Sequence, residues 1–94
     1  MDELDKLEEY LKNNDYEYKR IDETVNSYLN RHQIIVYENG KRSWDAICHI
    51  GSYGYEEGLL EVMGDKVLPK GCKDAVCGYL TAQDIIDMLE GNGD

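Results

Sequence analysis

Glu38-Asn39-Gly40-Lys41 separates two runs of strand-forming residues, Arg31 to Tyr37 before it and Lys41 to Ile50 after it. Asn-Gly in that setting is the strongest short hairpin signal, because a two-residue reversal needs positive φ at both central positions and these residue types accept it. An antiparallel ribbon follows, and with a two-residue loop its partners can be counted outward. The expected pairs are Tyr37 with Arg42, Ile35 with Trp44, Gln33 with Ala46 and Arg31 with Cys48 on one face. The other face then takes Val36 with Ser43, Ile34 with Asp45 and His32 with Ile47.

Around this ribbon the hydrophobic period changes several times. Asp2 to Asn13 places Leu4, Leu7 and Leu11 on one helical stripe, with acids early and Asn13-Asn14-Asp15 as a stop. Tyr16 and Tyr18 alternate with Glu17 and Lys19 up to Ile21, which reads as a charged edge strand. Asp22 to Asn30 is polar, and Val25, Tyr28 and Leu29 suit a loop or a single helical turn. After Ile50, glycines lead into an expected second helix from Tyr55 to Met63, closed by Gly64. Asp65 to Lys73 is a loop, and Asp74 to Tyr79 is a short fourth strand. Thr81-Ala82-Gln83-Asp84 is a capping signal for a last helix reaching about Leu89, with Leu80 before it and Gly91 to end it. The order α-β-β-β-α-β-α predicts an α+β fold, with helices packed on a mainly antiparallel sheet of three to four strands. Ninety-four residues form a single domain, 1–94, able to bury roughly two thirds of its unfolded surface.

Charge excludes more functions than any motif supports. Twenty acids against ten bases give a formal charge of -10. Such a field repels phosphate, so direct nucleic-acid binding and binding to anionic membranes are disfavoured, and a basic protein surface is attracted. The first thirty residues carry nine of the acids and four of the bases and residues 61–94 seven and three, so both ends are acidic and the first helix is among the acidic parts. Its candidate contacts are Asp2, Glu3, Asp5, Glu8 and Glu9, joined by Asp84, Asp87 and Glu90 on the last helix. The acidic opening MDELDKLEEY lacks the basic and apolar regions of a secretory signal, and three cysteines, an odd count, fit a reducing compartment, so a cytoplasmic location is expected. A local bridge between Cys72 and Cys77 is geometrically open, but a reduced pair accords better with that location.

The stretch ICHIGSYGYEEGLL concentrates a thiol, an imidazole, a hydroxyl, two phenols and three glycines. Gly51 to Gly54 joins a strand to an expected helix, which is where backbone amides cradle phosphate. Glu56 and Glu57 already occupy that first turn, however, and the glycine spacing fits neither nucleotide fingerprint. A tight turn is the better reading. Cys48 and His49 are adjacent, and adjacent strand residues point to opposite faces, so the pair cannot act as nucleophile and base. The counted register instead gathers His32, Asp45 and His49, two imidazoles and a carboxylate able to hold a divalent ion at an open site. Nothing in the sequence calls for a cofactor.

Eight tyrosines and one tryptophan, with no phenylalanine, suit binding faces as well as half-buried sheet positions. Tyr37, Arg42 and Trp44 share one face of the ribbon, Tyr53 and Tyr55 flank the glycine turn, and the five are a candidate set for a planar, nucleotide-like ligand. The stretches RHQIIVY, GKRSWDAICHIGSYGYEEGLLEVMG and GYLTAQDII resemble a group of short proteins from phages and other mobile elements of Gram-positive bacteria. The likeness covers about two thirds of the chain. It implies a setting rather than an activity: small acidic phage proteins often bind and block a host protein, sometimes by imitating the charge of nucleic acid. Three expectations follow: an acidic, non-enzymatic protein that binds a basic host protein, a small-ligand binder, and a metal-dependent hydrolase.

Overall fold

The computed structural model describes residues 2–26, 29–64 and 76–90. It is α+β, with the elements α1 (Glu3–Asn13), β1 (Glu17–Asn26), β2 (Leu29–Glu38), β3 (Lys41–Ile47), β4 (Leu60–Met63), β5 (Val76–Leu80) and α2 (Ala82–Leu89). The five strands form one antiparallel sheet in chain order, β1-β2-β3-β4-β5.

The first helix forms where its leucine stripe predicts it, and Leu4, Leu7 and Leu11 are buried. Asp2 accepts a hydrogen bond from the Asp5 amide while Asp5 reaches back to the Asp2 amide, a reciprocal capping box at the positive end of the dipole. Thr81 and Asp84 repeat the device on α2, as the sequence predicts. The polar stretch after Ile21 is a correction: it is neither loop nor helical turn up to Asn26, but continues β1. That strand pairs with β2 from Glu17↔Tyr37 to Asn26↔Leu29. Cross-strand pairing supplies what local propensity lacks there.

A second correction concerns Tyr55 to Met63, which is no helix. Tyr55–Glu57 makes one 3-10 turn, Gly58 stops it in a left-handed conformation, and Leu60–Met63 becomes a strand. β4 has two neighbours in the sheet, β3 and β5, and burial on both faces overrides the helical spacing of its leucines. Gly64 follows that strand rather than capping a helix. Its φ is +142°, and a Cβ there would stand 2.5 Å from the Trp44 Cβ, so the backbone approaches the tryptophan as only glycine allows.

The Asn39-Gly40 reversal forms as counted, with φ of +54° and +79° and the pairs Glu38↔Lys41 and Tyr37↔Arg42. One residue later the counted register fails. Ser43 is bulged out, so Val36 pairs with Trp44, Ile35 with Asp45, Ile34 with Ala46 and Gln33 with Ile47. The bulge places Ile34, Val36, Trp44 and Ala46 on one face, where with Leu60 and Val62 they meet the leucines of α1 and Ile85 of α2 in the core. Burial of four apolar residues on a common face outweighs the single ladder pair lost at Ser43.

Candidate functional site

Glu3 sets the mutual orientation of the helices. Its carboxylate accepts a hydrogen bond from the Ala82 amide at 2.7 Å, so the start of α1 lies at the start of α2. Tyr10 and Asn14, at the other end of α1, line the same cleft as Met88 and Leu89 at the end of α2. The two helices therefore run parallel. Their positive ends lie together among Asp2, Glu3, Asp5 and Asp84, and their negative ends converge on the cleft.

That cleft has a volume of about 700 Å³. Buried Val36 and Trp44 lie at its base, and Tyr10, Tyr16 and Tyr37 stand around it. The Tyr10 and Tyr16 ring centroids are 6.2 Å apart at an interplanar angle of 38°. Asp15, Glu17 and Glu38 supply carboxylates, and no lysine, arginine or histidine is among the lining residues. Burial, and then the nearby Glu90 carboxylate, raises the Tyr10 phenol above its ordinary value, which keeps it protonated.

The expected ligand set divides. Trp44 lines this cleft from the helix side, while Tyr37, which borders the cleft, is opposite Arg42 in the ladder and shares with it the sheet face away from the helices, where Arg42 pairs with Asp45 at 3.0 Å. Tyr53 and Tyr55 lie at the opposite end of the molecule, where Tyr55 lines a cavity shared with Asp2, Glu3 and Leu4. About 16 Å of α1 separates the two places, given its eleven residues. The sequence pattern alone does not single out Tyr10 and Tyr16. The available signal was Tyr10 three residues beyond Leu7 on the buried side of α1.

The expected metal trio does not assemble. His32 lies on the helix side of the sheet, where its Nδ1 is 2.8 Å from Asp22, and Asp45 lies on the other side, accepting a hydrogen bond from Gln33 at 2.7 Å. The Nδ1 of His49 is buried with no partner, and no cluster of three metal-ligating side chains occurs among the described residues. The Ser43 bulge that separates the trio brings His32 and Cys48 together instead. The Cys48 amide donates to the His32 carbonyl at 2.9 Å, and both residues line the cavity of about 410 Å³ near Tyr55. With Asp22 they form a carboxylate, imidazole and thiol in one row across three strands. Burial raises the Cys48 thiol above its ordinary value, the Asp2 charge adds to this, and no hydrogen bond joins thiol to imidazole, so the row lacks an armed nucleophile.

The glycine turn uses its amides internally. Ser52 donates from both amide and hydroxyl to the His49 carbonyl, Leu59 and Glu57 donate to Gly54, and the Tyr53 amide donates to the buried Glu61 carboxylate. No ring of free amides remains there to hold a phosphate.

The acids expected to face a partner are largely engaged within the chain. Asp2, Asp5 and Asp84 cap helices, Glu3 caps α2, and Asp5 and Glu8 bind Arg20 at 2.7 and 3.0 Å. Asp87 accepts from Gln83, whereas Glu9 and Glu90 are exposed. Cys72 lies outside the described residues, as do Asp74 and Gly91. No helix among the described residues is long and apolar enough to cross a membrane. Comparison with known protein families, with curated proteins and with solved structures finds no match.

Proposed function

We propose that this chain is an acidic, non-enzymatic interaction protein that covers a basic surface of another protein. In the phage setting implied by the sequence resemblance, the partner is a host protein in the cytoplasm, and its basic surface is one that otherwise holds DNA or RNA. The observation that carries the reading is the cleft at the helix C-termini, which combines aromatic walls, three carboxylates and two negative dipole ends with no basic lining residue. The same carboxylates argue against a nucleotide-like ligand, whose phosphates they would repel. Arg42, the one cation of the expected ligand set, is committed to Asp45 on the far face.

The test is binding of a fluorescent lysine-rich peptide and of a matched glutamate-rich peptide, at low and high salt. The lysine-rich peptide is expected to bind, and its affinity to fall about tenfold or more between 0.05 and 0.5 M salt as screening sets in. Equal binding of the two peptides, or a salt-independent affinity, would exclude the reading.

A further inference from the structure

We propose that the cleft between the helix C-termini and the β2-β3 hairpin is a receptor for one cationic side chain, lysine or arginine, presented by a basic protein segment. The inference rests on the interaction reading above and adds the place and the chemistry of the contact.

Four independent features of the cleft favour a cation over any other occupant. Tyr10, Tyr16 and Trp44 line it on the helix side, and the faces of such rings attract cations, more strongly where water is partly excluded. Asp15 and Glu17 place negative charge at its rim, and Glu38, opposite Lys41 in the hairpin, borders it. Both helices direct their C-terminal ends there, each equivalent to about half a negative charge; Lys12 in the last turn of α1 offsets part of its share, whereas α2 has no basic residue in its last turn. Val36, Met88 and Leu89 offer apolar surface to the methylene stem that a lysine or arginine carries behind its charge. An anionic or a purely apolar ligand would meet the carboxylates without compensation.

The chain contains a single tryptophan, Trp44, so its indole resonance and emission report on this cleft alone. The experiment is an NMR titration of the whole chain with a short peptide bearing three lysines, with its arginine counterpart, and with the lysine peptide after Nε-acetylation. Saturable shifts at Tyr10, Tyr16 and the Trp44 indole are expected with the first two peptides and not with the third. The double variant Asp15→Asn, Glu17→Gln alters only exposed side chains, and asparagine accepts the +58° φ at position 15. It should weaken binding about threefold to tenfold at low salt while leaving the melting temperature within a few degrees. Tyr16→Leu should cost about fivefold even at high salt, because the ring contact is less screened than the rim charges.

Acetylated peptide binding as well as the free lysine peptide would overturn the proposal. Saturable shifts confined to another acidic patch, such as Glu56 and Glu57, would also overturn it while leaving the interaction reading intact. Absence of binding by any cationic peptide at low salt would remove both.

Discussion

Arg20 shows why an acidic sequence cannot be read as an equally acidic surface. Its Nη1 lies 2.7 Å from Asp5 and 3.0 Å from Glu8, and its Nε lies 2.9 Å from Asp22. Burial works to lower the guanidinium's pKa, but the hydrogen bonds and charges of these carboxylates overcome it and hold the group more firmly protonated than usual. In return Arg20 is the largest influence lowering the Asp5 carboxyl. One side chain on β1 thus offsets part of the charge on the flank of α1 that meets the sheet, and it joins helix to sheet. Arg20→Met would keep the packed stem and remove the charge. The pairs with Glu8 and Asp22, partly exposed and each worth about 0.2–1 kcal/mol, give an expected loss of about 1 kcal/mol, seen as a lower urea midpoint with unchanged slope. An unchanged midpoint would mean that the pairs contribute nothing net and that apolar packing alone holds α1 to the sheet.

At the scale of elements, the parts with strong local chemistry were legible and the parts settled by the sheet were not. The leucine stripe of α1, the Asn39-Gly40 reversal and the Thr81-Asp84 cap each announce themselves within a few residues, because the backbone requirement they meet is local. β4 reads as helix because Leu59, Leu60, Val62 and Met63 fit a helical stripe as well as a buried strand, and only the neighbours β3 and β5 decide between them. The Ser43 bulge leaves a subtler signal. Counting straight through it mixes Trp44 and Ala46 with Arg42 and Gln33, whereas slipping one residue sorts Ile34, Val36, Trp44 and Ala46 together. Apolar sorting was therefore available as a criterion against the simplest register. The candidate site suffered accordingly: the Tyr37–Arg42 pair survived the slip, whereas the Ile35–Trp44 pair and the metal trio, which depended on the straight register, did not. Deleting Ser43 while keeping Asn39-Gly40 would remove the extra residue and leave Val36 opposite Trp44 and Ile34 opposite Ala46, whereas inserting one residue after Ser43 would send Trp44 and Ala46 to the wrong face. The expected result is a cooperative melt with native-like Trp44 emission for the deletion, and a lost melt with red-shifted emission for the insertion. Native-like emission and a sharp transition in the insertion variant would show that apolar sorting is not what sets this register.

Across the whole molecule, parallel helices impose an electrostatic polarity that the antiparallel sheet does not cancel, since strand dipoles alternate. The positive end is satisfied from within, by Asp2, Glu3, Asp5 and Asp84, and that arrangement makes stability depend on acid. Glu3 is lowered first by the Ala82 amide and then by Lys6, Asp5 by Arg20, and Asp22 first by His32 and then by Arg20. Each folded-state pKa is below the unfolded one, so the stabilisation is complete above the ordinary values of 4.5 for Glu3 and 3.8 for the two aspartates. It is lost as pH falls through the lower folded-state values. The net charge of -10 acts in the other direction at first, because partial protonation of outward carboxylates relieves self-repulsion before the paired ones are touched. Urea midpoints should therefore hold or rise slightly from pH 7 to about 5 and then drop steeply below the ordinary carboxylate range. Glu3→Gln keeps an oxygen for the Ala82 amide but removes one titrating group, so its curve should start lower at pH 7 and fall less steeply in acid. Parallel acid limbs for the two proteins would show that Glu3 is not linked to folding, and with it the capping contact that aligns the helices and directs both negative ends at the cleft.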